Sequence, residues 1–373
     1  KRIVSILLTG SMLLSLLPVS ALAAAPVFDA PAQTTAKKAA PLVQEADASR
    51  STEEEAATRS SRDLDAENGT ADSFTIQLNA EGKPADSGDD GNWYYDPSSG
   101  GRLYLYNGGF TLKPSSESGA ESALQGVELI INQGADFADG TVGCWTNNAG
   151  IISGGTFKGE VFNYGTISDG TFQGEVYNHD TISGGTFQGG EVYNVRGAIS
   201  GGTFEKRMTL MNDGASITIS DGLFKGEVVT EGCASPLSIS GGLFTKAVDA
   251  SKIIPNNLSI TGGYFVNEPT LPNGSDIAFT SVSDQSRRAF HVPVNDGFSE
   301  SYTSLYVPRG SSEQHNTITV KTNTKLLYYL ADGERFPVFD SDSDNYIFEI
   351  PVRNNEKIVL VTEEPSAPPT DDP

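Results

Sequence analysis

A chain of 373 residues with a formal net charge of −23 and 48 acidic side chains against 25 basic ones repels phosphate backbones, so nucleic-acid binding is excluded as an expectation. Such a charge suits a soluble, elongated, exported protein. The length leaves room for two or three domains.

Residues 1–23, KRIVSILLTGSMLLSLLPVSALA, run from two basic residues through an apolar stretch to Ala21-Leu22-Ala23. This is the pattern of a secretory signal peptide cut near Ala23. A membrane anchor is the competing reading, but Thr9, Gly10, Ser11 and Pro18 break the run. The expectation is an extracellular or cell-surface protein with no membrane span after cleavage. Residues 24–72 are rich in Ala, Glu, Ser and Thr with almost no aromatics. They cannot bury enough apolar surface to offset ordering, so they read as a disordered linker.

Order is expected from residue 73. Phe74, Ile76 and Leu78 alternate with polar residues as in a half-buried strand. Leu103 and Leu105, then GVELIIN, give two more strands. Residues 73–130 are expected to form an N-terminal β cap, because a stacked array must hide its first open edge.

Residues 131–268 carry the repeat. ISGGTF-KGEVFN-YGT is followed by ISDGTF-QGEVYN-HDT and ISGGTF-QGGEVYN-VRGA, with Ile152, Ile167 and Ile182 fifteen residues apart. The phenylalanines taken as one series are Phe137, Phe157, Phe172, Phe187, Phe204, Phe224, Phe244 and Phe265. From Phe157 onward an Ile stands five residues earlier, and the step lengthens to 17 and then 20 or 21 residues. One copy cannot bury its apolar face alone, so the units must stack. Antiparallel hairpins compete, but like side chains at a constant step favour parallel stacking, coil on coil. Ile, Phe and Val161, Val176 and Val192 are expected inside. The Gly-Gly or Asp-Gly pair marks a corner, where the shared Gly/Asp place suggests a left-handed backbone that Asp tolerates. Asn148, Asn163, Asn178, Asn194 and Asn212 suggest a ladder of side-chain hydrogen bonds along the axis. Cys144 and Cys233 fall five coils apart, about 24 Å, well beyond the ~7 Å a disulfide allows. They are expected to be free thiols.

Residues 269–312 hold short strands expected to cover the last coil. Residues 313–364 alternate strongly and read as a small antiparallel β module. Residues 365–373 are a Pro- and acid-rich tail. The fold expected is all-β: a parallel β-helix (β-solenoid) of about eight short coils between these two ends.

These ISGGTF-xGEVYN units, the entry GNWYYDPSSGGRLYLYNGGF and the leader together resemble secreted parallel β-helix surface proteins of Gram-positive gut bacteria, some described as carbohydrate-binding-domain-containing and lying near the pectate-lyase-like β-helices. The resemblance spans about residues 90–268. It implies the β-helix fold and a glycan partner. The 15-residue coils depart from it, since pectate-lyase-like coils exceed twenty residues, and are closer to narrow solenoids of ice-binding proteins.

Three outer columns could carry chemistry. Phe162, Tyr177 and Tyr193 form a candidate glycan-binding strip, with a purely structural ring ladder as the alternative. Glu160, Glu175, Glu191 and Glu227, with Arg207 in the missing place, form a like-charge ladder that could raise its own pKa values or recruit a cation such as Ca²⁺. The Thr column (Thr156, Thr171, Thr186, Thr203) invites an ice-binding reading but lapses to Leu223, Leu243 and Tyr264. No metal site is expected. DSDSDN (residues 340–345) imitates a calcium loop but has Asn345 and Pro351 where Gly and Glu are wanted, so a hairpin turn is expected. His179, His291 and His315 look isolated, and no catalytic residues are assigned. An active site would break the repeat, and Arg196 and Arg207, in the first irregular coils, are the place to look for one. The chain is therefore expected to be a non-enzymatic adhesion or glycan-binding solenoid, with a host or cell-wall polysaccharide as partner and no cofactor. The alternatives are a structural stalk and a polysaccharide lyase or hydrolase relative.

Overall fold

The computed structural model describes residues 72–89, 91–116, 123–211, 214–231, 236–309, 316–338, 340–342 and 345–364. The expected signal peptide, nearly all of the linker and the tail at 365–373 lie outside these residues, as do Asn212, Cys233 and His315. The described chain is all-β, with long sheets of parallel strands of the kind that build a β-solenoid.

The 15-residue step is one turn of the chain. Ile152, Ile167 and Ile182 pair in parallel, residue on residue. Phe157, Phe172 and Phe187 do the same, as do Val161, Val176 and Val192. These three stacks continue through the longer steps to Ile260, Phe265 and Val248. Side chains of the three columns fill the interior, none above 5% exposed. From Phe157 to Phe265 the rings lie nearly parallel, 4.5–5.2 Å between centroids. The extra residues of later coils therefore sit in the links between strands, and the columns do not shift.

Four expectations are corrected. Phe137 does not open the Phe column: it pairs with Ile152, and Val142 takes the place before Phe157. A 15-residue step from Phe157 lands on Val142, whereas Phe137 is 20 residues away. Second, the Gly/Asp place of the corner is not left-handed. The invariant glycine after it has φ between 86° and 126°, while Asp169 and Asp221 are absent from the positive-φ residues. In the Asp-Gly corners the carboxylate accepts the next amide, Gly170 N–H to Asp169 Oδ1 and Gly222 N–H to Asp221 Oδ1, both 2.7 Å. In Gly-Gly corners the chain passes so close to the preceding coil that a Cβ on Gly184 would sit 2.1 Å from the Ser168 carbonyl oxygen. Asp and Gly share the place because two corner geometries serve it.

Third, parallel stacking is not confined to residues 131–268. Ser73–Gln77 pairs in parallel with Gly108–Lys113, which pairs with Ala135–Asp139. Arg102–Leu105 pairs in parallel with Glu128–Ile131. Among the described residues antiparallel pairing there is confined to a meander of Gly88–Asp89, Trp93–Asp96 and Arg102–Leu105 and a Leu78–Pro84 bridge. Fourth, the two C-terminal segments share one core. Phe279–Asp284 pairs in parallel with Lys357–Thr362, and Phe290–His291 pairs antiparallel with Asn316–Thr322. One apolar cluster joins Val282, Leu305 and Val307 to Ile318, Phe348 and Leu360.

That cluster includes Leu243, and Leu223 and Tyr264 pack against it. The C-terminal layer thus lies along the outer side of the Phe stack as well as meeting its last strand at Phe265–Tyr306. Thr319 N–H donates to the Tyr264 hydroxyl at 3.2 Å. Asn295, at φ 47°, pairs its side-chain amide with Gly202, donating to the carbonyl at 2.9 Å and accepting the N–H at 3.1 Å. The Thr column turns to Leu and Tyr where this layer covers it.

Candidate functional site

The outer side of the Val stack gathers the expected site residues. In a strand the neighbours of an inward Val point outward. Phe162, Tyr177 and Tyr193 pair in one column, half-buried, with centroids 4.7 and 4.8 Å apart and planes within 10°. Their ring faces lie largely against one another. Before Phe162 the column holds Asn147, Ile130 and Tyr104. After Tyr193 it holds Thr209, which is 2% exposed.

The neighbouring column is fixed by backbone bonds from each inward residue to the following coil. Leu129 N–H donates to the Trp145 carbonyl, Thr146 to Glu160, Val161 to Glu175, Val176 to Glu191, Val192 to Arg207 and Met208 to Glu227. Glu160, Glu175, Glu191, Arg207 and Glu227 therefore share one column, which runs back through Trp145 to Glu128 and Arg102, an ion pair at 3.0 Å. Tyr177 donates its hydroxyl to Glu175 Oε2 at 2.8 Å. Burial first, and then this bond, push the Tyr177 hydroxyl far up from its ordinary range. Burial and a bond to Glu191 push Tyr193 up to about 12. Each pair thereby locks a ring to its own carboxylate. Arg207 Nη2 turns to Glu231 Oε1 at 3.3 Å. The carboxylates are strung one per coil along the axis, and among the described residues no three His, Cys, Asp or Glu side chains converge as metal ligands.

Trp145 escaped the sequence reading. Its indole meets Phe162 at 5.2 Å and 50°, breaking the parallel stack. Counting back fifteen residues from Glu160 would have found it. Tyr94, Tyr104 and Tyr106 form a second ring group on the same sheet, 6.4 and 6.2 Å apart. Tyr94 is 48% exposed.

His179 is not isolated: it stacks on Tyr164 at 4.6 Å. Burial raises the Tyr164 hydroxyl, and the charge of Arg196 opposes that shift. His291 Nδ1 lies 2.7 Å from the Ser299 carbonyl. The DSDSDN segment enters a hairpin, Asp340–Asp342 pairing with Ile347–Val352. Cys144 is a free thiol that burial pushes up to about 12, which keeps it protonated and poorly nucleophilic at neutral pH.

No family model, curated protein or solved structure matches this chain.

Proposed function

We propose that this chain is a secreted or cell-surface, non-enzymatic β-solenoid of about eight coils, with an N-terminal β cap and a C-terminal β layer, that binds glycan on the outer side of its Val stack. The carrying observation is the end of the ring column, where Trp145 tilts 50° against Phe162 beside the non-aromatic Asn147. Within the column the ring faces are occupied by one another. At its start an indole stands next to an amide and the Glu160 carboxylate, the mixture of apolar surface and fixed polar groups that sugar recognition uses. The carboxylate column disfavours acidic polysaccharides and leaves neutral glycans as the ligand class.

The test is a glycan array probed with the chain and with Trp145→Ala and Phe162→Ala. Binding to neutral oligosaccharides should weaken about tenfold in each variant, the scale of one aromatic contact. A folded chain that binds no glycan, or a Trp145→Ala variant that binds unchanged, removes this reading.

A structural stalk is the second reading. It is favoured by the 4.7–4.8 Å ring stacking and by the Tyr177–Glu175 bond, which turn much of the column's binding capacity inward on the molecule itself.

A further inference from the structure

The three stacks do not end alike. The Val stack is closed by Thr270, whose N–H donates to the Val248 carbonyl at 2.9 Å. The Phe stack is met by Tyr306 at Phe265. The Ile stack ends on Leu258–Ile260, which pairs with Leu237–Ile239 on one side and with no strand on the other among the described residues. At earlier steps the carbonyl of the column residue accepts the next coil's amide: Ser168 N–H to Ile152, Ser183 to Ile167, Ser240 to Ile219 and Thr261 to Ile239, each at 2.8 Å. The Ile260 carbonyl has no such donor among the described residues.

The exposure follows suit. Ile152 through Ile239 are 0% exposed and Ile260 is 5%; Leu237 is 2% and Leu258 is 7%. Over this edge lies a cleft of about 520 Å³, lined by Leu258, Ile260, Ile277, Ala278, Asp276 and Arg309 among others. Arg309 Nη2 donates to the Phe279 carbonyl at 3.2 Å, while its Nε is buried without a partner among the described residues.

Among the described residues the other end of the same stack is open too. Phe74 pairs with Phe110, Phe110 with Phe137 and Phe137 with Ile152, so Ser73–Gln77 is the first strand of this column among the described residues. Leu78 N–H donates to the Lys113 carbonyl. Backbone groups of a parallel strand face alternate sides, so Phe74 and Ile76 bond inward to the next coil and Thr75 faces away. Ala85 N–H takes the Gln77 carbonyl on that outer side, and Thr75 stays open among the described residues. Phe74 is half-buried where Phe110 is fully buried.

One end of the column therefore lacks a donor and the other lacks an acceptor, in parallel strands of the same polarity. We propose that Ser73–Gln77 of a second copy of this chain docks into the cleft, with Phe74 on Ile260 and the Thr75 N–H donating to the Ile260 carbonyl. That register carries Asp72 over Leu258, into the cleft that Arg309 lines, giving the acidic residue a cationic partner beside Asp276. The contact is head-to-tail, so each copy leaves one fresh donor edge and one fresh cleft, and the product is an open chain of molecules. It is independent of glycan binding.

Sedimentation velocity of the full chain across the micromolar range tests it. Wild type should show sedimentation coefficients that keep rising with concentration. Thr75→Pro removes the outward donor at a strand position whose N–H has no partner among the described residues, where proline is tolerated. Ala278→Arg fills the cleft from the opposite end of the molecule. Each variant alone should sediment as a monomer with an unchanged circular dichroism spectrum. Mixed together, they keep one intact cleft and one intact edge, and should form a 1:1 dimer that grows no further. Wild type that stays monomeric, either folded variant that associates like wild type, or a mixture without dimer overturns the proposal.

Discussion

Asn148, Asn163, Asn178 and Asn194 are fully buried, which an amide survives only when its hydrogen bonds are met. Each Nδ2 donates to the next Oδ1 at 2.7 Å, from Asn148 to Asn163 to Asn178 to Asn194. The parallel register is what makes this possible, because identical side chains arrive one coil apart. The ladder stops at Asn194, whose Nδ2 finds no partner among the described residues. The next place in the column belongs to Leu210. Position in the ladder should therefore decide the cost of losing a rung. Asn178→Ala strips an acceptor from Asn163 and a donor from Asn194, and should cost about 2–3 kcal/mol. Asn194→Leu removes an already unsatisfied donor and copies the next coil; Asn178 Nδ2 keeps the Asp180 carbonyl at 3.2 Å. Its cost should stay within about 1 kcal/mol. Urea unfolding of the two variants checks this, and equal losses would mean that the ladder has no end effect.

At the scale of strands, the Thr column shows how a neighbour edits a repeat. Thr156, Thr171, Thr186 and Thr203 are half-buried, while Leu243 in the same column is 0% exposed under the C-terminal layer. Leu243→Thr restores the repeat's own residue yet should destabilise the chain by about 2–3 kcal/mol, through a lost apolar contact and a buried hydroxyl. Thr171→Leu, made where no described residue of the C-terminal cluster packs on the column, should stay within about 0.5 kcal/mol. Thermal melts of both variants test whether the layer, rather than the repeat, sets the residue. The same column marks the limit of what was legible in the sequence. The Ile, Phe and Val columns could be read because packing demands like side chains at one fixed step. The strands Ser73–Gln77 and Arg102–Leu105 obey the same stacking, Phe74 on Phe110 and Leu103 on Leu129, but at steps of 36 and 26 residues that match neither each other nor the array, so their parallel pairing was hidden. Phe137 misled because its letter matched and its spacing did not. Trp145 occupies its column place only once, so no recurrence marks it. The turn to Leu223, Leu243 and Tyr264 was visible, but its cause is a contact between segments far apart in the chain, which no local pattern encodes.

For the molecule as a whole, coils that touch only their neighbours give stability that adds along the axis, whereas the C-terminal layer ties distant coils together. Asn295 reaches Gly202 and Asp221, Tyr264 meets Thr319, and Lys357–Thr362 closes back on Phe279–Asp284. A module ending in independence at residue 313 would need its own core, and the shared cluster of Val282, Phe290 and Leu305 with Val320, Phe348 and Leu360 denies it one. Deleting residues 313–364 should therefore release more than the deleted part. Phe279–Asp284 loses a strand partner, Phe290–His291 loses Asn316–Thr322, and Leu243 loses its cover. In hydrogen exchange, amides of residues 279–308 should lose protection to the level of an open chain. Those of the stacks between Ile152 and Phe187, which that layer does not pair with, should keep theirs, since their bonds run to adjacent coils. Full protection of residues 279–308 after the deletion would show that the chain is divided at residue 313 after all, and that the shared cluster contributes little to holding the layer on the solenoid.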